Sequence, residues 1–346
     1  MNALRRLVPR PIRRGVSVQL AEMQAQRLER DLRGLVAQRE TIVAGPWLGE
    51  VGFELLYWVP FLRWFAERFR LPPERLLIVS RGGTASWYRP FASGYREIFD
   101  HVTPDEFRSL HDERVAANGE QKQTRVLAFE HRLLRRLTED VEHRTMLHPS
   151  SMYRLFSPFW WGHLDEQWVH QRASYTRLAP DAAREHPVPD GPYTAVKFYF
   201  NECFPPTPDN RAFARGVVRD LARQGAVVSL TTGLRLDDHD GDDIRDPGVH
   251  LLPENLSPRE NLAVQTALVA GARAFVGTYG GFSYLAPFLG VPTTAYFSNA
   301  AGFSQRHLLM AQSALSTMGE AGRLNVQAAN ASGSRLPASG SRTTND

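Results

Sequence analysis

A glycine-rich turn between a strand-like run and a helix-like run is a candidate phosphate site late in the chain. The stretch from Val276 to Pro292 reads Val-Gly-Thr-Tyr-Gly-Gly-Phe-Ser-Tyr-Leu-Ala-Pro-Phe-Leu-Gly-Val-Pro. Glycine lets the backbone take conformations closed to other residues and lets a ligand approach the main chain closely. A turn at a helix N-terminus also offers free N–H groups and the favourable end of the helix dipole. The pattern therefore predicts diphosphate binding.

Two carboxylates lie in a second glycine-containing turn near the start of the chain, Gly49-Glu-Val-Gly-Phe-Glu54. This turn follows a strand-like run, 41–44, and precedes an apolar helix-like run, 55–69. A carboxylate at a helix N-terminus is stabilised by the helix dipole, and one that meets a substrate hydroxyl can act as a general base. Glu50 and Glu54 are therefore candidates for either a structural or a catalytic role.

A lysine interrupts the otherwise apolar run Ala195-Val-Lys-Phe-Tyr-Phe200. A charge among large apolar side chains is costly unless it is paired or exposed. The carboxyl end of such a strand opens onto the crevice in which ligands of α/β sheets bind. Lys197 is therefore a candidate phosphate contact, with an exposed edge-strand lysine as the alternative. Thr232 and Glu254 follow the next two strand-like runs and would face the same crevice.

The elements that must position these residues alternate between strand and helix. This alternation predicts an α/β fold of two Rossmann-like domains, whose parallel sheets face a central cleft. Strands are predicted at 41–44, 75–80, 193–200, 226–230, 249–252, 274–276 and 293–297, and helices at 18–38, 55–69, 210–224, 258–270 and 282–289. Ser257 and Glu260 form a capping-box pattern, which gives Glu260 a structural role.

Composition changes along the chain predict four regions. They are a basic tail and helix (1–40), a first domain (41–185), a second domain (190–320) and a disordered tail (325–346), where large apolar residues become few. A segment with three prolines and a glycine, 186–192, links the two domains.

The overall composition is that of an ordinary globular protein, with a formal net charge of +4 and a single cysteine, Cys203. One cysteine excludes a disulfide framework, and we expect a cytoplasmic location. Five arginines precede the first acidic residue, Glu22, and they would suit peripheral contact with an anionic membrane, a transit peptide or a solvated tail. The balanced charge elsewhere does not favour nucleic acid as a partner.

The two-domain pattern, the late glycine turn and the Gly-x-Pro before a closing strand resemble the GT-B glycosyltransferases, and among them the heptosyltransferase-like enzymes. Their donor loop has the form Asp-Thr-Gly-x-Ser-His-Leu-Ala-Ala-Ala-Leu-Gly-x-Pro, where this chain has Tyr279-Gly-Gly-Phe-Ser-Tyr-Leu-Ala-Pro-Phe-Leu-Gly-Val-Pro292. The positions that agree are Gly281, Ser283, Leu285, Ala286, Leu289, Gly290 and Pro292. Tyr279 and Gly280 replace the acid and the threonine.

The resemblance implies roles for the candidate residues. The general base would be Glu54 or Glu50, which takes the proton from the acceptor hydroxyl as its oxygen attacks the donor sugar. Main-chain N–H groups and a cation would hold the donor diphosphate. The donor contacts that it implies are Lys197, Thr232, Glu254, Gly280, Gly281, Phe282, Ser283 and Tyr284.

Two groups of aromatic residues are candidates for an acceptor site, because sugar rings stack on aromatic faces, although aromatic side chains also fill cores. The first group is Arg81 with Trp87 and Tyr88, and the second is the run 159–163 with Trp168. The acidic run 237–243 contains an Asp-x-Asp spacing, which we interpret as part of a solvated loop. No metal, and no cofactor besides the nucleotide sugar, is therefore predicted.

Together these inferences predict a metal-independent, inverting glycosyltransferase. It would move a sugar from a nucleotide-diphosphate sugar to a cell-surface glycan or glycolipid precursor. The alternatives are a nucleotide-sugar epimerase of the same fold and a non-catalytic protein that binds sugar or nucleotide. An epimerase would consume the donor without an acceptor, whereas a binding protein would be indifferent to glutamine at positions 50 and 54.

Overall fold

The structure is a computed structural model that describes residues 10–329 except 90, 120–121, 181–188, 235–239, 242–243, 245 and 254. Side chains are described from residue 18 onward, apart from those of 240 and 241. The described residues form two parallel sheets flanked by helices. The predicted α/β fold with two Rossmann-like domains is therefore confirmed.

The first domain is built around four parallel strands. Its elements are α1 (Arg10–Ala37), β1 (Thr41–Ala44), α2 (Val51–Phe53), α3 (Val59–Phe69), β2 (Leu76–Ser80), α4 (Ala85–Tyr88), β3 (Gly94–Glu97), α5 (Pro104–Asn118), α6 (Ala128–Leu137), β4 (Arg144–Leu147), α7 (Ser150–Trp160) and α8 (Glu166–His170). A π-helical turn, Glu54–Trp58, joins α2 to α3. The strand order is β3-β2-β1-β4.

The second domain has six parallel strands. Its elements are β5 (Tyr193–Lys197), β6 (Tyr199–Phe200), α9 (Pro208–Gln224), β7 (Ala226–Ser229), β8 (Asp240–Gly241), β9 (Val249–Leu251), α10 (Asn261–Gly271), β10 (Ala274–Thr278), α11 (Gly281–Phe288), β11 (Thr293–Phe297), α12 (Gln305–Thr317) and β12 (Leu324–Ala328). The strand order is β12-β11-β10-β5-β7-β9, and β6 and β8 form a separate antiparallel pair.

Alternation along the inner strands places the two faces of the first sheet in different hydrophobic clusters. Ile42 and Ile78 point into the main core with α1, α3 and α7, whereas Val43 and Val79 pack against α5 and α6. The strand Leu76–Ser80 is buried along its whole length, as expected when both faces of a parallel sheet are covered.

Local sequence signals set the ends of α3 and α9. α3 ends at Arg70, which takes a left-handed φ of 51°, and two prolines follow it. α9 begins after Thr207, whose side-chain oxygen accepts a hydrogen bond from the Asn210 N–H, and it ends at Gly225.

Two expectations differ from the structure. The helix predicted from 258 begins at Asn261, because Glu260 itself takes the N-cap position and Ser257 Oγ accepts from the Arg259 N–H at 3.3 Å. The predicted capping box is therefore wrong. Residues 325–328, expected at the start of a disordered tail, belong to the edge strand Leu324–Ala328. Its apolar contacts come from buried Leu324 and partly buried Val326. Residues 330–346 lie outside the described residues.

Helices at both ends of the chain pack on the first domain. α1 lies against α7 and α3, and it extends eight residues further toward the N-terminus than the predicted helix, from 18 to 10. After β11 the chain leaves the second sheet and forms α12, which packs on α8 of the first domain. It then returns to the second sheet as β12. Side-chain contacts of 2.7 Å, between Tyr57 Oη and His307 Nδ1 and between His170 Nε2 and Ser313 Oγ, join α12 to the first domain.

Candidate active site

The glycine turn and the acidic turn lie against each other where the carboxyl ends of the two sheets meet. A Cβ atom added to Gly281 would lie 3.0 Å from the Gly52 nitrogen and 3.0 Å from Cβ of Val51. A Cβ atom on Gly52 would lie 3.3 Å from Cα of Gly281. The starts of α2 and α11 therefore touch through glycine main chain, and a larger residue at either position would push the domains apart.

Gly280 and Ser283 build the turn that opens α11. Gly280 has a φ of 150°, and a Cβ atom there would lie 1.9 Å from the Tyr199 hydroxyl oxygen, so only glycine fits. The Gly280 N–H donates to Ser283 Oγ at 3.0 Å, and Ser283 Oγ donates to the Gly280 carbonyl at 2.8 Å. Gly280 and Ser283, two of the predicted donor contacts, thus hold the turn together. The N–H groups of Gly281 and Phe282 follow in the first turn of the helix.

Lys197 ends β5 beside the same turn. Its Nζ donates to Gln265 Oε1 at 2.5 Å and to the Leu230 carbonyl at 3.3 Å, and it lies 4.0 Å from the centre of the Phe282 ring. Gln265 is oriented in turn, because its Nε2 donates to Asn261 Oδ1 at 2.7 Å. The partly buried ammonium is thereby held at the carboxyl edge of the second sheet, between α10 and the start of α11.

The remaining predicted donor contacts are less open to a ligand. Thr232, just after β7, is buried. Tyr284 is also buried, and its hydroxyl donates to the Tyr279 hydroxyl at 2.6 Å, so its side chain belongs to the core of the domain contact. Glu254 lies outside the described residues.

Glu54, the first predicted base, is fully buried at the start of the π-helical turn. Its carboxylate accepts hydrogen bonds from Ser80 Oγ at 2.7 Å and from the Tyr88 hydroxyl at 2.5 Å, and it pairs with Arg81 Nη1 at 2.8 Å. Burial first, and then the charge of Glu54, raises the pKa of Tyr88 well above its usual value, so Tyr88 stays a donor. Because Glu54 is fully buried, an acceptor hydroxyl does not reach its carboxylate in this conformation.

The acceptor contacts predicted at Arg81, Trp87 and Tyr88 do not fit this arrangement, because all three side chains are buried. Arg81 Nη2 donates to the Gly49 carbonyl at 2.5 Å, and Trp87 Nε1 donates to Thr266 Oγ1 of α10 at 3.1 Å. The Arg81 side chain thus supports the acidic turn, and α4 forms part of the contact between the domains.

Glu50, the second predicted base, is exposed at the N-cap position of α2, and its side chain does not cap the helix. It lies two residues before Gly52, at the point where the two domains touch. Of the two candidate carboxylates, that of Glu50 belongs to an exposed residue and that of Glu54 to a fully buried one.

An aromatic cluster borders the acidic turn on the side of the first domain. The Phe53 ring lies 5.4 Å from that of Trp160 and 5.0 Å from that of His307, and Tyr57 Oη lies 2.7 Å from His307 Nδ1. Lys122 Nζ lies 5.4 Å from the Phe53 ring centre and 5.9 Å from that of Trp160. We refer to Phe53, Trp160, His307 and Lys122 as the Lys122 cluster.

Sequence reasoning missed Lys122 and His307 as site residues, although one signal was available. The chain has only two lysines, Lys122 and Lys197, and the structure places both over phenylalanine rings beside the domain contact. In the second predicted aromatic group, Phe159 and Trp168 fill the core. Its Trp161 is 72% exposed.

Replacing His307 by asparagine should reduce the loss of stability on acidification. Burial first, and then the charge of Lys122, lowers the pKa of His307 from 6.5 to about 4, while Tyr57 is its hydrogen-bond partner. The unfolded chain therefore binds more protons than the folded one between these pH values. The stability that the neutral His307 ring contributes is fully present above pH ~6.5, and up to about 3 kcal/mol of it is lost as the pH falls to ~4. Urea unfolding across this range measures the difference, and equal losses in both proteins would contradict the assignment.

No described helix is long and apolar enough to cross a bilayer. Among the described residues, no three His, Cys, Asp or Glu side chains are grouped so as to hold a metal ion. Most of the acidic run 237–243 lies outside those residues.

No protein-family model and no curated protein matches the sequence. Among solved structures, the chain is similar to E. coli heptosyltransferase WaaC with ADP, at 14% identity and a TM-score of 0.43, over 84% of this chain and 93% of that one. It is also similar to E. coli ADP-heptose lps heptosyltransferase II, at 14% identity and a TM-score of 0.38, over 77% and 88% of the two chains. The glycosyltransferase SnogD from Streptomyces nogalater has 11% identity and a TM-score of 0.35, over 82% and 95%. At such identities the reaction must be argued from this chain's own residues.

Proposed function

We propose that the chain is a GT-B glycosyltransferase that moves a sugar from a nucleotide-diphosphate sugar to a hydroxyl of a glycan or glycolipid precursor. The observation that carries the proposal is the meeting of Lys197, the N-terminus of α11 and the Glu50 turn at one domain contact. A cation beside a helix N-terminus suits a diphosphate, and a carboxylate opposite it suits the activation of a hydroxyl.

In the proposed reaction, the Glu50 carboxylate takes the proton from the acceptor hydroxyl as that oxygen attacks C1 of the donor sugar. The bond from C1 to the diphosphate oxygen breaks, and its electron pair stays on the diphosphate. Lys197 and the N–H groups of Gly281 and Phe282 stabilise the charge that develops there, without a metal ion. Attack from the face opposite the diphosphate inverts the configuration at C1.

Exposure supports Glu50 rather than Glu54 as the base. Glu54 is fully buried and already accepts from three groups, whereas Glu50 is exposed. Arg81 joins the two, because one of its nitrogens pairs with Glu54 and the other donates to the Gly49 carbonyl. We therefore assign Glu54 a positioning role, in which it holds the turn that carries the base.

Replacing Glu50 by glutamine should lower turnover about 10²- to 10⁴-fold, the usual contribution of a general base, and leave nucleotide affinity unchanged. Replacing Lys197 by methionine should instead weaken nucleoside-diphosphate binding about 10-fold or more, because a charge-assisted contact is lost. Calorimetric titration with UDP, GDP, ADP and CMP, followed by transfer assays with the matching sugar donors, measures both effects.

The outcomes of this screen separate the functions. Absence of binding to every nucleotide would refute the proposal. Isomerisation of a donor sugar without an acceptor, detected by NMR, would identify an epimerase. If the wild-type protein binds a nucleotide but neither transfers nor isomerises any donor sugar, the chain is a binding protein.

A further inference from the structure

Lys122 has no anionic partner within the described part of the chain. None of the ion pairs of the described residues involves it, and its ammonium lies over the faces of Phe53 and Trp160, close enough to His307 for its charge to act on that ring. The residue is partly buried. An ammonium in such a place loses hydration that the ring faces replace only in part, so an anion beside it would be stabilised.

The residue after Lys122 fixes its position relative to the acidic turn. Gln123 is fully buried, and its Oε1 accepts from the Leu48 N–H at 3.0 Å while its Nε2 donates to the Pro46 carbonyl at 2.8 Å. Pro46 and Leu48 belong to the loop that leads into Glu50. Lys122 is thus attached to the same loop as the proposed base.

Glu130, the buried carboxylate that contacts Gln123, has its own partners. Glu130 accepts from Gln123 Nε2 at 2.9 Å and from the Leu127 N–H at 2.7 Å. Its oxygens also lie 3.5 Å from Arg114 Nη2 and 3.3 Å from His148 Nε2. These contacts direct its charge into the first domain, so it anchors Gln123 and does not neutralise Lys122.

We infer that Lys122 selects an acceptor that carries a negative charge. A sugar with a carboxylate or phosphate group would place that group against Lys122 Nζ and its ring against Phe53 or Trp160. The inference rests on the proposed function and names the acceptor class of that site. It assigns the charged group to the first domain, whereas Lys197 belongs to the second.

Ligand-observed NMR tests the inference with three probes: methyl glucoside, glucuronate and glucose 6-phosphate, each with and without a nucleoside diphosphate. The wild-type protein should bind at least one charged sugar about 10-fold or more tightly than the neutral one, because one charge-assisted contact is added. Comparison of glucuronate with the phosphate ester shows which anion is preferred.

Three variants make the test specific. Lys122→Met should abolish the preference for charge, and Lys122→Arg should retain it. Arg132→Met, which removes the same charge from an exposed position of α6, should leave it intact. Equal binding of charged and neutral sugars by the wild type, or a preference that survives in Lys122→Met, would overturn the inference.

The nucleotide arm keeps this inference separate from the proposed function. Lys122→Met should bind nucleoside diphosphate as the wild type does, because Lys197 and α11 are untouched. A wild-type protein that binds nucleotide but does not prefer charged sugars would refute the role of Lys122 and leave the proposed function standing. Charge selection without binding of any nucleotide would remove the function.

Discussion

Replacing Glu54 by alanine should lower the free energy of unfolding by about 3–5 kcal/mol, the effect of removing one partner from a buried ion pair. The carboxylate is fully buried and receives three donors, from Ser80, Arg81 and Tyr88. Without it, the Arg81 guanidinium would remain buried with the Gly49 carbonyl as its acceptor, and two hydroxyls would lose theirs. Urea unfolding followed by tryptophan fluorescence measures the change.

A double variant tests whether charge is the cause. Glu54→Met combined with Arg81→Met removes both members of the pair, so it should recover much of the stability that the single change loses. Glu50→Ala, at an exposed position, should stay within about 0.5 kcal/mol of the wild type. A Glu54→Ala protein that is as stable as the wild type but inactive would show that Glu54 acts in the reaction and does not anchor the turn.

The second large effect is expected at Gly277, the fourth of the five residues of β10. A Cβ atom there would lie 2.1 Å from the Lys197 carbonyl oxygen and 2.9 Å from its carbon, and the two residues are register partners in neighbouring strands. Both are inner strands of the second sheet, so neither can move without breaking hydrogen bonds to its other neighbour. Gly277→Ala should therefore destabilise by at least about 3 kcal/mol, the upper end of ordinary overpacking, and should displace Lys197.

Thermal unfolding and nucleoside-diphosphate titration of Gly277→Ala measure the two consequences together. Gly216→Ala is the matched control, because Gly216 lies in α9 with nothing within 4 Å of an added Cβ atom. That change should be neutral or stabilise by up to about 1 kcal/mol, the preference for alanine in a helix. Equal stability of the Gly277→Ala and Gly216→Ala proteins would contradict the close approach of the β10 and β5 backbones at Gly277.

The elements of this fold were predictable because its inner strands are short apolar runs bounded by glycine and proline. The strands Thr41–Ala44 and Thr293–Phe297 occur at the predicted residues. The helix after the acidic turn was also predicted, but its π-helical start was not. That start has no local sequence signal and accompanies the burial of Glu54 against residues of β2 and α4.

Side-chain roles in the site were less predictable, because distant contacts decide burial. Trp87 is buried, and its ring nitrogen donates to Thr266, which lies 179 positions away in the chain. Tyr57 and His307 meet across 250 positions. Residue type and strand position were enough to select Lys197 as a candidate, because its place depends only on where one strand ends. They could not identify Lys122, whose surroundings come from α2, α7 and α12.

The path of α12 and β12 affects how the protein matures during translation. The first domain leaves the ribosome early, but Tyr57 and His170 gain their contacts with His307 and Ser313 only when α12 is made. The edge of β11 likewise gains its neighbour only when β12 arrives. The last surfaces of both domains therefore close only after residues 305–328 are made: the aromatic face of the first domain stays uncovered until α12 arrives, and the edge of β11 stays open from residue 297 until β12 arrives.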